Sequence, residues 1–173
     1  MNDNVIRAGI GHACFERFDI ISPWTVGRYM DQAGVSSFRS DVMAGDLSAL
    51  AETGIDYMPV AFPGFSWHNL TGGSSPLNLI PRDGGHFFWR QVYEWLSAGC
   101  SSLYVAMFDE VDEGTAMYKI APTAADVPTE GTFLTLDADG YDLPSDHYLW
   151  LAGEAARMVR GEIPLSSTWP TRP

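Results

Sequence analysis

Leu103-Tyr104-Val105-Ala106-Met107-Phe108-Asp109-Glu110-Val111-Asp112-Glu113-Gly114-Thr115 is the stretch on which the reading of this chain turns. It opens as an apolar run with β-branched and aromatic side chains, the composition of a buried strand. It then breaks into four carboxylates within five positions, closed by Gly114. A buried strand that ends in an acidic loop is how an α/β barrel presents reactive side chains at its C-terminal rim.

Working outward, Ser101 to Phe108 is a strand and Ile55 to Pro63 another, with Pro59 marking a bulge or irregular position. Phe18 to Pro23 predicts a strand before them, and Thr132 to Leu136 a short one after. Between these, Asp46 is placed to cap a helix over Leu47 to Glu52, stopped by Gly54. His86 to Ala98 has helical spacing, with Phe87, Val92 and Leu96 or Trp95 on one side and Gly99 at the end. Ser145 or Asp146 caps a last helix through about Arg160, ending at Gly161 and Pro164. Residues 29–42 read as a loop or irregular helix rich in Gly and Ser, and Ala116 to Thr129 as a Pro-punctuated connection. Gly64 to Gly85 is a long loop, of a length that is usually functional or mobile.

Strand–helix units without hairpin signals imply a parallel sheet with right-handed crossovers. Four β-α units make half of an eightfold barrel, and no Gly-rich phosphate fingerprint favours an open doubly wound sheet. The 173 residues fall well short of the roughly 250 of a complete barrel. The expected fold class is therefore α/β, half of a (β/α)8 TIM-type barrel, with residues 1–173 forming one partial domain.

Composition narrows the partners. At 46% hydrophobic and 18% charged the chain is globular, and no apolar run approaches the ~20 residues that cross a bilayer. A net charge of −12 argues against nucleic acid or an anionic membrane and suits a neutral polymer or a cation, or simply solubility. Cys14 and Cys100 lack metal-ligand spacing, and a disulfide between them is left open. Met1-Asn2-Asp3-Asn4 shows no signal peptide in this chain.

Glu110 and Glu113 stand three apart, which on a helical turn brings their Cβ atoms to about 5–6 Å. Carboxyl groups that close suit retaining glycoside chemistry, because inverting enzymes leave a wider gap for water. Repulsion and partial burial would separate the two pKa values into an acid and a base. The same loop equally reads as a solvated acidic turn, or as a calcium site built from Asp109, Glu110, Asp112 and Glu113. Asp137 to Asp142 resembles a calcium loop weakly, since it lacks the bidentate Glu, and reads better as a capped turn. Six Trp, seven Tyr and nine Phe, several at strand ends, give the set of flat apolar faces that a sugar-stacking cleft uses. Trp67, His68 and the adjacent Asn69 follow the second strand and could stack on a sugar and bond its hydroxyls. Trp24 and Arg28 after the first strand, and Arg82 and Trp89 around the helix, would reach the same rim beside Asp109 and Asp112. Arg82 reads equally as the counter-ion of a carboxylate. Neither a G-x-S-x-G elbow nor an H-E-x-x-H helix is present in the sequence.

Ser22-Pro23-Trp24-Thr25-Val26-Gly27-Arg28, Pro63-Gly64-Phe65-Ser66-Trp67-His68-Asn69, Pro81-Arg82-Asp83-Gly84-Gly85 and Met107 to Thr115 together resemble bacterial proteins described as glycoside hydrolase family 71/99-like. The last segment is similar to the E-x-x-E-G-T signature of family 99, the endo-α-mannosidases and endo-α-mannanases. The resemblance runs from about Phe18 onward and implies a (β/α)8 barrel acting on α-mannosides with retention, needing no metal or other cofactor. It implies that Glu110 is the base on the sugar 2-hydroxyl, forming a 1,2-anhydro intermediate, and Glu113 the general acid/base at the glycosidic oxygen. The family's Trp and His between the two glutamates are Val111 and Asp112 here, at positions that shape the sugar subsite.

The resemblance also implies that this is the C-terminal half of the barrel, lacking the N-terminal strands. Half a barrel leaves unpaired edges and an uncovered inner face, so the chain is expected to be a fragment or to self-associate through those edges. Full-length relatives are expected to be secreted or periplasmic. The expected activity is hydrolysis of a polysaccharide or oligosaccharide, and the alternative is a non-catalytic carbohydrate-binding protein using the aromatic rim.

Overall fold

The computed structural model describes Phe15 and residues 17–172; Cys14 lies outside them. Three stretches run parallel, as expected, but their regular pairing is short. β1 (Ile20–Ile21) pairs with β2 (Asp56–Tyr57), and β3 (Val60–Ala61) with β4 (Tyr104–Val105). β2 and β3 are two halves of one predicted strand. Pro59 stands where pairing passes from one neighbour to the other: the Met58 amide donates to Ile21 (2.9 Å), whereas the Pro59 carbonyl accepts from Tyr104 (3.0 Å). A residue without an N–H fits a position where the ladder changes sides.

Among the described residues four helices accompany these strands: α1 (Gln32–Phe38), α2 (Ala44–Leu50), α3 (His86–Ser97) and α4 (His147–Val159). A π-helical segment, Arg39–Met43, joins α1 to α2, so of the two readings of 29–42, loop or irregular helix, the structure shows the irregular helix from Gln32 onward. Val35 and Met43 are fully buried, and that burial holds a Ser- and Gly-rich stretch in a conformation its propensities do not favour. The cap is Asp31, whose carboxylate accepts from the Gly34 amide at 2.7 Å. Asp46, expected to cap, is buried inside α2 and accepts a bond from the Tyr57 hydroxyl.

α3 matches its spacing. Phe87, Phe88, Gln91, Val92 and Trp95 are all buried, on one face. Gln91 continues the sheet's bonding with its side chain, accepting from the Phe62 amide (3.1 Å) and donating to the Phe62 carbonyl (2.8 Å). Trp95 Nε1 donates to Val60 O at 3.0 Å. Tyr29, Phe38, Phe62, Phe87 and Trp95 pack as one cluster with centroids 5.2–6.1 Å apart.

The expected strand at Thr132 to Leu136 does not form. Leu134 and Leu136 are buried, but Leu136 and Asp137 donate to Ala121 and Pro122, and a 3₁₀ turn follows at Leu136–Asp139. The segment covers the core as irregular chain. α4 ends the order, burying Tyr148, Leu151, Ala155 and Met158. Asp146, at its N-terminus, pairs with Arg172 (2.7 and 3.0 Å) rather than capping the helix. Among the described residues no helix is long and apolar enough to cross a membrane.

Candidate active site

Beyond β4 the chain makes a closed loop. Met107 N donates to Thr115 O (3.2 Å), and Met117 N and Tyr118 N donate to Phe108 O (3.0 and 2.9 Å). Inside it, Gly114 N bonds Val111 O and Thr115 N bonds Glu110 O, both at 3.1 Å, forming a tight turn that carries Glu110 and Glu113. Gly114 closes the turn at φ +65°, where a side chain would be strained and would press Leu134 at 3.2 Å.

The long loop after β3 supports this turn. Phe65 and Ile80 bond reciprocally (3.0 and 2.9 Å), so the loop is pinched at its base. From it, Ser66 N donates to Glu113 O at 2.7 Å, and Asn69 Nδ2 donates to Asp112. Arg82 Nη2 donates to Gly114 O (2.8 Å) and Ala116 O (2.9 Å). Arg82 is only 4% exposed and lies over the Tyr148 ring at 4.6 Å. This expected rim residue supports the carboxylate loop through its backbone.

Glu110 and Glu113 are both half-buried. Burial, then the neighbouring Glu110 and Asp112 charges, raises the Glu113 pKa above the ordinary carboxylate value. The fold therefore favours its protonated form, and the unfolded chain ionises it more readily. The cost is absent below about pH 4.5, the ordinary Glu range, and appears as pH rises beyond it. Glu113→Gln is accordingly expected to melt higher than the wild type at pH 7, with the gap closing near pH 4. Equal melting temperatures across that range would contradict it.

Trp24 and Trp67 are about half exposed, as a stacking role needs; Trp24 lies 6.4 Å from the Tyr104 ring. Arg28, Asp109 and Asp112 are exposed, and Phe108 is 62% exposed beside them. His68 is tied through Nδ1 to Ser75 O at 2.8 Å, which organises its turn. Trp89 is 2% exposed and bonds Ser166 O, so it belongs to the core and not to the rim where it was expected. Asn69, noted only as a neighbour of Trp67, touches the acidic loop directly.

Among the described residues no three His, Cys, Asp or Glu side chains converge as metal ligands. Asp139, in the weak calcium-like loop, instead accepts from the Asp83 amide at 2.8 Å and from Asn78. Cys100 is buried and forms no disulfide among the described residues, and burial pushes its thiol up to about 11. A cavity of about 260 Å³ borders the acidic loop at Val111 and Gly114, with Arg82, Phe133 and Leu134 in its wall.

A scan against protein-family models finds no match, and a comparison with curated proteins finds none either. Solved structures do match. The GH99 endo-α-mannosidase of Bacteroides thetaiotaomicron in complex with bis-tris propane superposes with a TM-score of 0.58 at 15% identity, over 73% of this chain and 37% of its own. A second structure of that enzyme gives 0.56 at 16%, over 75% and 34%. The fold is GH99-like. The chain spans about a third of the length of those structures. Its short parallel strands and helices make up part of a GH99-like α/β architecture, the coarse form of the expected barrel.

Proposed function

We propose that this chain carries the acid/base edge of a retaining glycoside hydrolase, with Glu113 as general acid/base and Glu110 as its partner carboxylate. The observation that carries the reading is the hydrogen-bonded turn after β4, which carries both glutamates, three residues apart, on one closed loop. The raised proton affinity of Glu113 suits a group that must donate to a leaving glycosidic oxygen near neutral pH. Glu110 would draw the proton from the sugar 2-hydroxyl. The hydroxyl oxygen then attacks the anomeric carbon while Glu113 protonates the departing oxygen, and water later opens the anhydro ring. Trp24 and Trp67 would stack on pyranose rings, and exposed Asp109 and Asp112 and Arg28 would meet hydroxyls. The substrate class is a polysaccharide or oligosaccharide; the likeness to an endo-α-mannosidase makes α-mannans the first to try.

The test is hydrolysis of a panel of α-mannans, α-glucans and xylans by the wild type, Glu110→Gln and Glu113→Gln, after light scattering has fixed the oligomeric state. Release by the wild type alone is the expected result. Turnover that survives in Glu113→Gln would refute the assignment.

The exposed tryptophans favour a second reading, carbohydrate binding without turnover. Trp67→Ala is expected to weaken sugar affinity by about 10-fold or more in either case, since aromatic contacts contribute about 0.5–1.5 kcal/mol beyond their buried area. Binding by the wild type with silence across the panel would select the second reading. Calorimetric titration of the same panel measures it.

A further inference from the structure

We infer that Asn69 is a positioning residue for the acidic loop, its side-chain amide fixing Asp112, one of the two residues between the glutamates. This deepens the glycosidase reading and rests on it. A carboxamide has two N–H donors. Asn69 Nδ2 reaches Thr132 O at 2.8 Å on one side, and Asp112 Oδ1 at 3.1 Å and Asp112 O at 3.4 Å on the other. One side chain thus ties together three segments that are 43 and 63 residues apart in sequence.

Asn69 is itself held firmly. Its turn is closed by Thr71 N to Trp67 O (3.0 Å), Gly72 N to Asn69 O (3.1 Å) and Gly73 N to His68 O (2.8 Å), with His68 Nδ1 bonded to Ser75 O. The same turn begins with Ser66, whose amide holds the carbonyl of Glu113, the residue next to Asp112. Two positions of one turn therefore grip two consecutive residues of the acidic loop. The chemistry selects the residue type: Asp at 69 would offer no donor and would set a second carboxylate against Asp112. Holding the Asp112 carboxylate at Asn69 also keeps its charge at a fixed place relative to Glu113, whose other charged neighbour is Glu110.

The experiment compares wild type, Asn69→Ala, Asn69→Asp and Asp112→Asn by amide hydrogen exchange, by carboxyl NMR titration of Glu113 (assigned with Glu113→Gln) and by kcat and KM on any panel substrate that is turned over. In Asn69→Ala, exchange at Gly114 and Thr115 should rise about tenfold, the effect of one hydrogen bond, with α3 unchanged. The Glu113 titration should move, and kcat should fall about 10- to 100-fold with little change in KM. Asn69→Asp should exceed Asn69→Ala. Asp112→Asn keeps an acceptor for Asn69, so it should preserve the exchange pattern while lowering the Glu113 midpoint. Wild-type exchange and titration in Asn69→Ala would overturn the inference, as would faster exchange spread equally over α3. A wild type without turnover but with the local exchange effect would retire the glycosidase reading and keep the clamp.

Discussion

Arg82→Met is expected to lower the melting temperature by about 10 °C and to loosen the acidic loop before the rest of the protein. Arg82 donates through Nη2 to the carbonyls of Gly114 and Ala116, both buried residues. Hydrogen bonds from a charged donor contribute about 1.5–3 kcal/mol each, and Met supplies the apolar stem without any donor. Part of that loss is offset, because a buried guanidinium is costly: burial lowers its pKa, and Nε and Nη1 find no hydrogen-bond partner among the described residues. The two orphaned carbonyls decide the sign, since both belong to buried residues and lose a charged donor. A net loss of about 3 kcal/mol, at about 2–4 °C per kcal/mol for a chain of this size, gives the stated shift. Calorimetry measures it, and a midpoint within about 2 °C of the wild type would mean the cation's burial cost cancels its bonds. Arg82→Lys, with one ammonium in place of the fork, should recover part of the difference.

Gly85→Ala should be comparably damaging, for a different reason. Gly85 has φ +101°, outside the region L side chains adopt. A Cβ there would lie 2.6 Å from Leu151 Cδ2 and 3.3 Å from both His147 Nε2 and Trp169 Nε1. Leu151 is fully buried on α4, and His147 Nε2 is engaged with Gly84 O at 3.0 Å, so neither yields freely. Backbone strain of about 1–2 kcal/mol and overpacking of about 1–3 kcal/mol add to roughly 2–5 kcal/mol. The loss should appear as a lower urea midpoint with unchanged slope. A wild-type midpoint would show that α4 can step away from α3 at little cost.

The parts of the fold that were legible were those where side-chain pattern and backbone need agree. The apolar run before Asp109 is β4, and the spacing of Phe87, Val92 and Trp95 is the buried face of α3. Pro59 was legible as an irregular position, though not as the handover between two neighbours. Residues 29–42 left loop and irregular helix open because Ser and Gly are poor helix formers, while the burial that decides for the helix comes from distant chain. Thr132 to Leu136 misled outright: its β-like composition serves burial of two leucines with no strand to pair. At the site, the Glu110 and Glu113 spacing was visible because it is local. The roles of Arg82 and Asn69 were not, since each acts on a backbone atom at least 32 residues away and nothing in a side chain's identity says which carbonyl it will meet.

The donors that grip the acidic loop from outside, at Ser66, Asn69 and Arg82, all belong to the one connection between β3 and α3. The carboxylate edge and its brace are thus a single heritable module about fifty residues long (Phe65 to Ala116). Recombination that exchanged the surrounding architecture while leaving that stretch whole would carry the glutamates with their geometry intact. A crossover inside it would separate the glutamates from the donors that hold their loop.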